Sequence, residues 1–162
     1  MNKYILGAAL SVLPLLAHAE GLPMQKSLTF DAAQLMVQGA IAKCRAGSNK
    51  VAVAVVDNSN VLIAFGRDDG AFLGTVEMAQ RKAYSVVAFG RATGPREDQP
   101  PNTPPALPGM TSAAGGLPIM IGDRLIGAVA VSGVRSVKGA PGAEKDAACA
   151  QAGLEHAAGL LK

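Results

Sequence analysis

The chain has no tryptophan, and its only aromatic residues are four Phe and two Tyr. Lys and Arg number 15 against 12 Asp and Glu, a formal charge of +3, and the basic residues are scattered without a run. A nucleic-acid surface needs clustered cations, and aromatic rings where single strands stack. Neither is present, so no nucleic-acid partner is expected. Two cysteines and two histidines, widely spaced, give no CxxC pair and no zinc spacing. The nucleophile elbow GxSxG, the metalloprotease HExxH, the phosphate loop and GxGxxG are all missing. Beyond the N-terminal segment, no apolar run is long enough to span a bilayer.

What is present begins with an export signal. Lys3 precedes the apolar "YILGAALSVLPLLA", and "AHA", Ala17 to Ala19, sets small residues where a signal peptidase cuts. Residues 1–19 therefore read as a secretory signal cleaved before Glu20. The competing reading is a membrane anchor, but the run is short and holds Pro14. The mature chain is expected to be periplasmic or secreted, with no membrane span. It keeps about 140 residues, enough for one domain with a real core. It loses Lys3 and His18, which leaves a charge of +2 and one imidazole, His156. Cys44 and Cys149 remain. They read either as a disulfide, which an oxidising compartment permits, or as two buried thiols that pack as small apolar residues.

Residues 20–28 read as a short leader. Thr29 then caps a helix over "FDAAQLMVQGAIAKCRA", with Phe30, Ala33, Met36, Val37, Ala40, Ile41 and Cys44 at helical spacing. "KVAVAVVD" and "VLIAFGRDD" are strands joined by turn residues, a hairpin. "TVEMAQRKAYSVVAFGR" is a second helix, with Thr75 as its cap and Val76, Ala79, Ala83, Val86 and Val87 facing inward. The next stretch holds five prolines between Pro100 and Pro108, which rules out a helix or central strand. A long loop of this kind reads as functional, or as an arm toward a neighbouring subunit. A second hairpin, "LPIMI" and "RLIGAVAVS", turns at Gly122-Asp123. Pro141 and Gly142 open a last helix, with Glu144 and Asp146 in its first turn, where they complement the dipole. Hairpins alternating with helices predict an α+β domain over 29–162, with an antiparallel sheet against helices.

"GGLPIMIGDRLIGAVAVSG", followed by "EKDAACAQAG", resembles the haem-binding HbpS, GlcG and PduO C-terminal domain family. "RKAYSVVAFGRAT" and "VAVAVVDNSNVLIAFGRDDGA" are similar to that family's lysine helix and first hairpin. The resemblance covers the whole mature chain in order. It implies a profilin-like three-layer domain with a central antiparallel sheet of about five strands between helices. The two hairpins supply four, so the fifth is expected near "MTSAA", 110–114. The resemblance also implies homo-oligomers, dimers or larger, and haem as cofactor in the exported branch.

Residue by residue, Lys82 matches the family's helix lysine, Gly115 and Gly116 its paired glycines, Ser132 and Gly133 its strand end, and Asp146 its acidic helix start. Arg81 and Lys82 are suited to the propionates of haem or to another small anionic ligand. Bare glycines at both ends of the hairpin would let that ligand, or a neighbouring chain, approach the backbone. Haem iron takes His, Met, Cys or Tyr. His156, Tyr84 and Met110 are the metal-ligand candidates, and none is singled out. The surface acidic pair that one relative in the resembled family uses for iron has no Asp-x-x-Glu or Glu-x-x-Glu counterpart here, so an iron-sensing role is not expected. The leading reading is an exported binding protein for haem or a similar anionic small molecule. The alternative is a small-molecule enzyme that uses Lys82 with Asp146, the lysine serving as Schiff-base or proton-transfer group if buried.

Overall fold

The computed structural model describes residues 26–96, 107–135 and 142–162. The signal segment and the proline cluster lie outside the described residues. The order is α1 (Phe30–Ala46), β1 (Ala52–Asp57), β2 (Leu62–Arg67), α2 (Leu73–Phe89), β3 (Gly116–Ile121), β4 (Arg124–Ser132) and α3 (Gly142–Ala157), then a short 3-10 turn at Ala158–Leu160. Thr29 caps α1 as expected, its hydroxyl accepting the Ala32 N–H. Thr75 does not cap α2. The helix starts two residues earlier, and the Thr75 hydroxyl donates back to the Phe72 carbonyl at 2.6 Å.

Among the described residues the sheet has four strands in the order β2-β1-β4-β3, all antiparallel. The expected fifth strand at 110–114 is not a strand. The segment does not even prolong β3, whose ladder with β4 stops just beyond Gly116. Val131 N–H donates to the Gly115 carbonyl. The Val131 carbonyl, which in a continuing antiparallel ladder accepts from the same residue, accepts Lys82 Nζ instead. Gly115 has a φ of 125°, and the chain before it turns away from the sheet.

Strand alternation builds two unlike faces. On one side Val51, Val53, Val55, Val129 and Val131 pack against Met36 and Ala40 of α1 and Ala150 and Ala157 of α3. On the other, Ala52, Ala54, Ala128 and Ala130 meet Ala79, Ala83 and Val86 of α2. The result is three layers, with α1 and α3 over a valine face and α2 over an alanine face. Small side chains on the second face let α2 lie close to the sheet. The Cys44–Cys149 pair is a disulfide joining α1 to α3 across 105 residues, with Cα atoms 5.6 Å apart. Closing a loop of that size restricts the unfolded chain by an amount worth about 4–5 kcal/mol in the chain-entropy account.

The outer edge of β3 is closed by chemistry. Gly116 N–H donates to Thr93 Oγ1, and its carbonyl accepts Thr93 N–H. Pro118, the next position turned outward, has no N–H to offer.

A second buried charge pins the far corner. Asp68, with a side chain fully shielded from solvent, accepts two bonds from Arg45 at 2.8 and 3.1 Å and lies 3.7 Å from Lys50. The Arg45 guanidinium holds its carboxyl below the usual range against the opposing effect of burial. A carboxyl whose folded pKa is depressed stabilises the fold above its unfolded pKa, about 3.9, and that contribution is lost as pH falls through the folded value. The melting temperature is therefore expected to drop below about pH 4. Asp68→Asn should be less stable at pH 7 and show a shallower acid dependence; parallel pH profiles for the two proteins would exclude Asp68 as the titrating group.

Candidate functional site

The resemblance pointed to both ends of the second hairpin, and there α2, β4 and α3 meet. Lys82 leaves α2 and passes the start of β3. Its Nζ donates at 2.8 Å to the Val131 carbonyl and at 2.8 Å to Asp146 Oδ2 on α3. The other oxygen, Oδ1, accepts Val134 N–H at 2.9 Å. Both side chains are shut away, Lys82 at 2% exposure and Asp146 at 4%. Burial pushes the lysine pKa down and the aspartate pKa up, and in each case the partner's opposite charge pulls the other way. Of the two acids read as first-turn dipole complements, only Glu144 lies in the first turn of α3; Asp146 comes just after it and is the buried partner of a lysine 64 residues away.

The glycines serve this junction. A Cβ at Gly115 would lie 2.7 Å from the Val131 carbonyl oxygen and 2.8 Å from both Lys82 Nζ and Asp146 Cβ. A Cβ at Gly116 would lie 2.8 Å from Val86 Cγ2 and 2.9 Å from the Lys82 carbonyl oxygen. At Gly133 it would meet the Lys50 carbonyl oxygen at 2.5 Å. The space that the sequence suggested for a ligand is filled by the chain's own α2, α3, β4 and the two residues before β1. Ser132 is buried beside it at the end of β4.

The other candidates lie apart. Arg81 sits on the outer side of α2, paired with Glu77 at 3.0 Å from Nε. Tyr84, also on α2, is half-buried, with its hydroxyl 3.5 Å from Gln80 Oε1. Met110 is half-buried and places Sδ 3.6 Å from the Ser85 hydroxyl of α2. His156 is exposed on α3, where its Cβ lies against Gly39 of α1, across the sheet from α2. Both cysteines are in the disulfide and cannot ligate. Among the described residues no group of three or more His, Cys, Asp or Glu could hold a metal ion, and no helix is long and apolar enough to cross a membrane.

Sequence reasoning missed the Val131 carbonyl, Thr93, Ser85 and the Asp68 centre. Their partners are 23 to 49 residues away in the chain, so no local pattern marks them.

Removing one member of a buried pair leaves a charge without a partner, at a cost of about 3–5 kcal/mol. Lys82→Ala and Asp146→Ala are each expected to lose stability on that scale in urea unfolding. Gly116→Val, which would set a branched side chain against Val86 and the Lys82 carbonyl, should lower the melting temperature. A Lys82→Ala protein as stable as the wild type would show that the junction holds nothing together.

Comparison with solved structures places this geometry. HbpS superposes with a TM-score of 0.73 at 29% identity, over 86% of this chain and 96% of that one. The Klebsiella pneumoniae protein ORFY gives 0.68 at 24% identity, over 84% and 94%. A complex of PduOC with haem gives 0.67 at 22% identity, over 81% and 95%, a likeness of fold. No curated protein matches. A family model described as haem degrading protein HbpS-like matches residues 28–155, all three helices and all four strands but for the last two residues of α3, and the chain belongs to the HbpS-like family.

Proposed function

We propose that this is an exported haem-binding protein. The observation that carries the reading is the family match over residues 28–155; a fold neighbour complexed with haem supports it. Export is supported by the N-terminal segment and by the Cys44–Cys149 disulfide, a bond suited to oxidising compartments.

The sealed Lys82–Asp146 pair does not fit a ligand, and it does not fit a Schiff-base lysine either, since Nζ already donates to two acceptors away from solvent. The donor set that fits haem lies on the outer side of α2 and along the 107–113 segment. Arg81 there suits a propionate, and Tyr84 and Met110 are acceptable iron ligands. Bound haem would supply a redox-active iron and a flat apolar ring. The chain's own part is to hold and orient that ring and to limit water at the iron.

Self-association belongs to the same reading. Phe72 and Leu73 are 63% and 79% exposed, and Phe65 and Leu62 of edge strand β2 are also exposed. Apolar surface of this kind commonly marks a partner. A second copy would cover it.

Titrating the purified mature protein with hemin tests the reading. A saturable Soret band is expected, with light scattering on the same samples showing a dimer or larger. Tyr84→Phe or Met110→Leu should move the band, and Arg81→Ala, an exposed charge, should weaken binding by no more than about 1 kcal/mol. A weak, unsaturable signal would overturn the proposal. Adding ascorbate in air then separates binding from the breakdown that the family description names: a lasting band means binding alone, and a bleaching band means turnover.

A further inference from the structure

Ser85 lies in the middle of α2 at 1% exposure. A serine there commonly bonds back to the carbonyl four residues earlier, and Ser85 does so, donating to Arg81 at 2.7 Å. Its other contacts have no such local explanation. The same oxygen accepts Thr111 N–H at 2.8 Å and sits 3.6 Å from Met110 Sδ, partners 26 and 25 residues away. It thus takes hold of the 107–113 segment just after its turn, where Met110 N–H reaches the Leu107 carbonyl and Gly109 has a φ of 78°. Methionine has three rotatable bonds and no shape of its own to keep a rotamer. A half-buried methionine on such a strap keeps one position only if something fastens it. The fastening point is rigid, since Ser85 is one turn along α2 from Lys82, whose buried pair fixes the helix to β4 and α3.

We propose that Ser85 is a positioning residue: it pins Met110 and Thr111 to α2 and so sets where the thioether stands against that helix for the bound ligand. The proposal rests on the haem reading for the ligand, but not for the pinning. Ser85 touches the strap, and the strap touches the ligand.

The test compares wild type, Ser85→Ala and Ser85→Thr, the last keeping the hydroxyl. Each is dosed with hydrogen peroxide without haem, and sulfoxide at Met110 is followed by peptide mass spectrometry. Met120, 42% exposed on β3, is the internal reference. Ser85→Ala should oxidise at Met110 several-fold faster, with Met120 unchanged and Ser85→Thr close to wild type. In hemin titration Ser85→Ala should bind roughly fivefold more weakly, the scale of one lost hydrogen bond, with Ser85→Thr again restored. Equal Met110 oxidation in wild type and Ser85→Ala overturns the pinning. Unchanged hemin affinity in Ser85→Ala overturns its role at the ligand. A wild type that protects Met110 yet binds no hemin sinks the haem reading and leaves the pinning standing.

Discussion

An ammonium and a carboxylate, both nearly dry, hold three elements of this fold in one place. Neither charge is stable alone at that depth, since desolvation of a single ion costs several kcal/mol. Lys82 is made tolerable by Asp146 and by the Val131 carbonyl, and Asp146 by Lys82 and the Val134 amide. Each member exists there because the others do. That mutual dependence fixes α2 on one face of the sheet relative to α3 on the other, which packing of smooth alanine and valine surfaces would leave freer to slide. It also ends the β3–β4 ladder, because the lysine takes the carbonyl that a longer β3 would need. The glycines follow from the same fact: the Val131 carbonyl oxygen, Lys82 Nζ and Asp146 Cβ converge within 2.8 Å of where a Gly115 Cβ would stand.

The Val/Ala division of the sheet makes the junction reachable. A lysine side chain spans only a few bonds, and α2 must come close for Nζ to pass the sheet edge. The alanine face permits that approach. The valine face carries the bulk of the core and the disulfide between α1 and α3. Asp146 and Cys149 stand one turn apart on α3, so that helix is tied ionically to α2 and covalently to α1 within a single turn.

Much of this was legible in the sequence. Period-2 runs such as "VAVAVV" and period-3.6 runs such as "FDAAQLMVQGAIAKC" depend on neighbours a few residues off, and all seven long elements lie where the patterns put them, though α2 begins two residues before its expected cap. The convergence of Lys82, Asp146, Gly115, Gly116 and Gly133 was legible through the resemblance. Its meaning was not. A glycine that makes room for a ligand and a glycine that makes room for a helix look alike in sequence, and only the distances to Val86, Lys82 and Val131 tell them apart. The missing fifth strand was hidden for the same reason, since the group that cuts the ladder is a side chain 49 residues from its acceptor. Ser85 gave no signal, because its distant partners lie across the proline-rich stretch.

The two edges of the sheet are not equivalent. On β3, Thr93 occupies both outward groups of Gly116, and Pro118 offers no donor. On β2, the last strand at the other side, "LIAFGR" is an ordinary run with exposed apolar residues. A molecule with one receptive edge can join another edge to edge, but the product has no receptive edge left. Should copies pair through β2, the product would present only the two closed β3 rims, and a threonine and a proline there would bar further growth.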